Sequence, residues 1–129
     1  MPNAIITATG SYLPPTVVPN SAFLDHRFFG PDGRPQERAN PDIVAKLEEI
    51  TGIRERRYAT ADMNTSDLSL AAAERALEGM DREAFDYLIV AHNFGDVTSA
   101  TRRSDQVPNI ASRVKQRLGI ENPYTVAYD

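Results

Sequence analysis

Apolar positions are irregularly spaced in the first half of this chain and regularly spaced in the second. Residues 4–10 begin with Ala4, Ile5, Ile6 and Thr7, a continuous β-branched and small-residue run that predicts a strand covered on both faces. The Pro14 and Pro15 pair cannot continue a central ladder and ends it. Asn20 then predicts the cap of a short helix over 21–26. Gly30, Pro31, Asp32 and Gly33 are turn chemistry, so 28–41 reads as a loop. Asn40, Pro41 and Asp42 predict a helix start with proline in the first turn. Ile43, Leu47 and Ile50 fall on one face of that helix, with Lys46, Glu48 and Glu49 elsewhere.

The second half carries cleaner signals. Thr65 or Ser66 is the expected N-cap of a helix whose positive end suits Asp67. Ala72, Ala73, Ala76, Leu77 and Met80 repeat at helical spacing, and alanines on that face would let the helix lie close to a sheet. Gly79 marks its stop. Residues 85–91, centred on Tyr87, Leu88, Ile89 and Val90, read as a buried parallel strand. A loop over 94–106 follows. Val107, Ile110, Ala111, Val114 and Leu118 then mark a second amphipathic helix, with Pro108 early in it and Gly119 after it. Residues 124–128 form the next predicted strand. This alternation implies an α/β fold with right-handed crossovers and a mainly parallel sheet. Ligands in such sheets gather beyond the carboxyl ends of strands, here at His92 and Asn93 and at Asp129.

Composition narrows the function classes. A length of 129 residues predicts one domain, and 41% hydrophobic with 25% charged residues describes a soluble globular protein. A net charge of −4 gives no general attraction to nucleic acid or to anionic membranes. No apolar run approaches the ~18 residues of a membrane span. Met1, Pro2 and Asn3 open no secretory signal, so a cytoplasmic location is expected. The absence of cysteine excludes disulfides, thiolate metal sites and a cysteine nucleophile within these residues. Gly10, Gly30 and Gly33 do not compose a dinucleotide fingerprint, and no histidine–carboxylate cluster has metal-ligand spacing.

The densest feature is the run from Thr51 and Gly52 through Arg54, Glu55, Arg56 and Arg57 to Tyr58. Its arginines are either solvated and ion-paired or aimed at a phosphate, a task suited to guanidinium forks. Arg54, nearest the turn, is the residue chosen for ligand contact. Asn93 either caps its loop or lines a pocket. His92 reads as a hydrogen-bonded structural residue and His26 as a surface one.

Several of these pieces together resemble a known family. Residues 8–14 (Ala8, Thr9, Gly10, Ser11, Tyr12, Leu13, Pro14) and Asn20 come first, followed by Thr51, Gly52, Ile53, Arg54, Glu55, Arg56 and Arg57. Ser66, Asp67 and Leu68, then Ala71, Ala72, Ala73, Ala76 and Leu77, then 86–91 and 116–119, continue the pattern in order. The whole resembles the opening of a β-ketoacyl-acyl-carrier-protein synthase III.

That resemblance implies the first half of a thiolase-like fold, with a largely parallel mixed sheet, and loop insertions at about 28–41 and 94–106. It implies an acyltransferase of fatty acid biosynthesis that condenses an acyl thioester with malonyl-acyl carrier protein, with decarboxylation. Acyl-coenzyme A and acyl carrier protein would be substrates, no resident cofactor would be needed, and a homodimer is expected. Thr51, Arg54 and Asn93 are the substrate-binding residues it points to. The family's cysteine lies just beyond the position of Asp129, and its histidine and asparagine farther on. This N-terminal part would therefore be inactive alone.

Two departures bear on the substrate. Lys46 and Ile50 stand where the family places a tryptophan and an arginine that clamp the coenzyme A adenine, and the stretch from Ala91 to Pro108 is longer than usual. Both favour a secondary-metabolite enzyme with a non-acetyl donor as the alternative. A second alternative is a non-catalytic module for dimerisation or carrier-protein binding, which predicts no exposed apolar face.

Overall fold

A computed structural model describes residues 3–129. The chain forms two compact units, one comprising the residues up to Leu13 with Ala59–Asp129, the other Pro14–Tyr58.

In Pro14–Tyr58, strand β1 (Thr16–Pro19) pairs antiparallel with β2 (Glu55–Tyr58), with Val18 opposite Arg56 and Thr16 opposite Tyr58. Helix α1 (Asn40–Thr51) lies between them in sequence, with Pro41 in its first turn as expected. Gly52 ends it in the left-handed region at φ 68°, where glycine lacks the Cβ penalty, and its N–H donates to Glu48 O at 2.7 Å. Residues 28–39 form a loop closed by an isolated bridge between Phe29 and Pro35, and the helix takes up the last two residues of the expected 28–41 loop.

One expectation fails in this unit. The helix over 21–26 shrinks to a 3-10 turn at Asn20–Phe23, and Asn20 caps nothing. Its amide instead donates to Glu48 Oε2 at 2.9 Å and to Ile53 O at 2.8 Å, so it is spent on partners distant in sequence. The face carrying Ile43, Leu47 and Ile50 is only partly covered: Ile43 is half-buried, while Leu47 and Ile50 are exposed.

The larger unit holds the core. Helix α2 (Thr65–Ala76) is capped by Asn64, not by Thr65 or Ser66. Asn64 accepts from the Asp67 N–H while the Asp67 carboxylate accepts from the Asn64 N–H at 2.6 Å, a reciprocal box that leaves Ser66 free for another partner. Helix α3 (Ile110–Arg117) starts behind Asn109, whose side chain accepts from the Ser112 N–H at 2.8 Å. Val107 lies outside this helix and is exposed, because the residue before a proline is disfavoured in helical geometry. Ile110, Val114, Leu118 and Ile120 form the buried centre, with Leu70, Ala73, Leu77, Leu88 and Val90 packed around it.

Strands β3 (Tyr87–Ile89) and β6 (Val126–Tyr128) pair in parallel, Leu88 opposite Ala127, which is the predicted crossover arrangement. Between them in sequence, β4 (Asp96–Val97) and β5 (Ser104–Asp105) make a small antiparallel hairpin within the expected 94–106 loop.

The strand over 85–91 is not buried on both faces. Leu88 and Val90 meet the core, whereas Tyr87 and Ile89 are exposed, because helices cover this two-stranded sheet on one side only. Residues 4–10 belong to no strand, and Ile5 and Ile6 are exposed, since no strand among the described residues pairs with them. Gly10 instead lies against α2: a Cβ there would fall 2.5 Å from Ala72 O and 2.8 Å from Ala76 Cα. The small face of α2 thus admits the backbone of the N-terminal segment.

Candidate functional site

The carboxyl ends of β3 and β6 converge on the start of α3. Asp129 follows β6 directly, and its carboxylate accepts from the Ile110 N–H at 2.8 Å and the Ala111 N–H at 2.7 Å. These are two of the donors that a helix start leaves without intrahelical partners. Asn109 adds a longer bond to Ala127 O at 3.3 Å. His92, three residues past β3, meets Asp129 Oδ2 through Nε2 at 2.9 Å, while its Nδ1 accepts from the Gly95 N–H at 2.8 Å. Because Nδ1 is an acceptor here, the neutral ring carries its hydrogen on Nε2 and donates it to Asp129.

Burial pushes the Asp129 carboxyl up, but the His92 bond and the Ala111 and Ile110 N–H groups outweigh it, holding its pKa below the usual carboxylate value. Both nitrogens of His92 are engaged, so this pair fixes geometry and leaves no free base. His92 is thus the hydrogen-bonded structural residue that its position predicts. Asn93 is exposed on the loop beyond it.

A second polar cluster anchors the β4–β5 hairpin. Asp96 is buried and accepts from the Ser66 N–H at 2.8 Å, from Ser66 Oγ at 2.7 Å and from Arg113 Nη1 at 3.0 Å. Arg113 also reaches Asp105 at 2.9 Å and donates through Nε to Pro108 O at 2.8 Å. Burial lowers the Arg113 pKa, yet Asp105 and Asp96 more than reverse this and keep it charged. Arg113 in turn holds Asp105 below the ordinary carboxylate range. Sequence reading passed over Asp96 and Arg113, whose separation along the chain carries no spacing signal.

Thr51 and Arg54 lie together in Pro14–Tyr58, and Asn93 belongs to the other unit. Thr51 Oγ1 donates to Leu47 O at 2.7 Å and accepts from the Ile53 N–H at 3.2 Å, which fixes the turn after α1. Arg54 extends from that turn, exposed, with Nε 3.4 Å from Glu48 Oε1. This contact leaves most of its N–H groups available to an anion. The other arginines of the run divide: Arg57 pairs with Glu55 at 3.6 Å, and Arg56 lies over the Phe23 ring at 4.9 Å. At the two positions ahead of the turn, Lys46 pairs with Glu49 at 3.0 Å and Ile50 is exposed.

Among the described residues, no group of three or more histidine or acidic side chains could hold a metal ion. No described helix is long and apolar enough to cross a membrane.

No family model matches the chain. Among solved structures, it is similar to the β-ketoacyl-[acyl carrier protein] synthase III of Thermus thermophilus, with a TM-score of 0.63 and 28% identity over 97% of this chain and 32% of that one. The 3-oxoacyl-(acyl carrier protein) synthase III of Pseudomonas aeruginosa PAO1 gives a TM-score of 0.56 and 26% identity over 92% and 30% of the two chains. A 3-oxoacyl-(acyl-carrier protein) synthase from Burkholderia xenovorans LB400, at 20% identity and a TM-score of 0.64 over 95% of this chain and 30% of that one, shares the fold. This is therefore a synthase III-like chain of thiolase-like α/β fold, matched along nearly its whole length and spanning about a third of the enzymes it resembles.

Proposed function

We propose that this chain supplies the N-terminal part of a 3-oxoacyl-acyl carrier protein synthase III-type acyltransferase. The observation that carries this reading is the match to a synthase III structure over 97% of the chain at 28% identity. The reaction is a decarboxylative Claisen condensation of an acyl thioester with malonyl-acyl carrier protein. Acyl-coenzyme A and the carrier protein are substrates, no resident cofactor takes part, and the working protein is a cytoplasmic homodimer. Thr51 shapes the turn that presents Arg54 to the phosphates of the donor, and Asn93 lines the path beyond β3. With no cysteine, this sequence needs residues from outside it to form an acyl-enzyme.

Intact mass after incubation with acyl-coenzyme A tests the reading. The 129-residue chain should gain no acyl group, whereas a polypeptide that continues it and carries the nucleophile should gain one. Failure of the longer polypeptide to acylate, or to consume malonyl-acyl carrier protein, would overturn it.

A non-acetyl donor is favoured by Lys46 and Ile50. One is tied to Glu49 and the other is aliphatic, so neither offers an aromatic surface or a free guanidinium to an adenine. The free-standing binding module is disfavoured, because Tyr87 and Ile89 are 64% and 59% exposed on one face of the β3–β6 sheet.

A further inference from the structure

Strand β2 alternates, so Arg56 and Tyr58 share one face while Glu55 and Arg57 share the other. The Arg56 face borders a cavity of about 180 Å³ whose walls include Phe23, Phe28, Val44 and Leu47. Arg56 is the only charged residue in that lining, and among the described residues no carboxylate lies within ion-pair distance of it. One face of the guanidinium covers the Phe23 ring, and Nη1 donates to Asn20 Oδ1 at 2.7 Å. Asn20 is itself held by Glu48 and Ile53 O, so the arginine is fixed from two directions. Stacking engages the plane of a guanidinium and leaves its remaining edge N–H groups to donate to a planar, two-oxygen partner.

We infer that this cavity binds a small apolar monocarboxylate, its carboxylate on the free edge of Arg56 and its hydrocarbon or aromatic body against Phe28, Val44 and Leu47. The volume lies below the ~300–1,000 Å³ of drug-sized and cofactor pockets, which excludes a coenzyme. Charge selects a monoanion: one guanidinium faces the cavity, Glu48 stands behind Asn20, and the chain carries −4 overall. A neutral occupant of the same shape would leave Arg56 without a counter-charge.

Sodium benzoate, benzyl alcohol and phenyl phosphate, titrated separately into the 15N-labelled chain, test the assignment. Benzoate should shift the Arg56 Nε–H resonance and amides near Val44 saturably, and benzyl alcohol should bind at least about tenfold more weakly. Arg56→Gln should weaken benzoate by about tenfold or more, with the α1 amides unchanged. Should that variant unfold, Val44→Phe fills the cavity, leaves Arg56 in place, and should abolish the shifts. The inference fails if benzoate gives no saturable shift, if benzyl alcohol binds equally, if phenyl phosphate binds more tightly, or if a folded variant binds benzoate undiminished.

Discussion

Asp96 and Arg113 meet with side chains only 6% and 19% exposed, whereas Arg54 and Glu48 meet in Pro14–Tyr58 at 86% and 40%. The distances are similar, 3.0 and 3.4 Å, but the physics differs. Water already solvates the second pair, so bringing the ions together gains little. The first pair has lost most of its water, so its oxygens and nitrogens depend on protein partners. Ser66 and Asp105 complete that set. The same contact type is thus a structural lock in one unit and an available cation in the other.

The largest expected effect breaks the lock. Asp96→Ala leaves the Ser66 N–H and the Arg113 guanidinium without their carboxylate under cover, and should cost about 3–5 kcal/mol in urea unfolding. A loss below ~1 kcal/mol would mean that the cluster is better hydrated than its geometry indicates.

Acid provides the next test. Asp129 has a folded pKa below its unfolded one, so its contribution is present above the ordinary carboxylate pKa of about 3.9 and is lost as pH falls through the lowered folded value. The wild-type chain should therefore lose stability across that acidic window. Asp129→Asn should show a smaller loss in the same series of unfolding curves, and an identical pH profile would remove Asp129 as the cause.

Arg54→Ala should do least to the fold, shifting stability by no more than ~0.5 kcal/mol. In a polypeptide competent for acylation it should instead raise KM for acyl-coenzyme A with Tm unchanged. A fall in Tm without a change in KM would return Arg54 to a structural role.

Sequence reading captured the elements that carry their own punctuation. Pro41 marks the start of α1 and Gly119 follows α3, although α3 begins later than Val107, at Ile110, and the apolar centres of β3 and β6 pair in parallel as the alternation required. It missed β1 although Thr16, Val17 and Val18 are β-branched, because flanking prolines read as loop. It missed β2 because Glu55, Arg56 and Arg57 give no apolar alternation. The two-residue strands β4 and β5 are defined by Asp96 and its distant partners, and no local pattern announces them. At the candidate site, the strand ends at His92 and Asp129 were legible from topology. Their bond to each other, and the docking of Asp129 on α3, depend on packing that brings residues 37 apart into contact.

The pairing of β1 with β2 also governs the identity of the cavity wall. Side chains alternate across a strand, so a slip of one residue would exchange the two faces of β2. Glu55 and Arg57 would then turn inward, and the single cation would become a self-neutralised pair with nothing to offer an anion. Two anchors outside the ladder prevent this: the Asn20 N–H donates to Arg54 O at 3.0 Å, and its side chain grips Ile53 O. An insertion or deletion between Gly52 and Glu55 would therefore cancel the positive charge of the cavity wall without a substitution at any position of its lining.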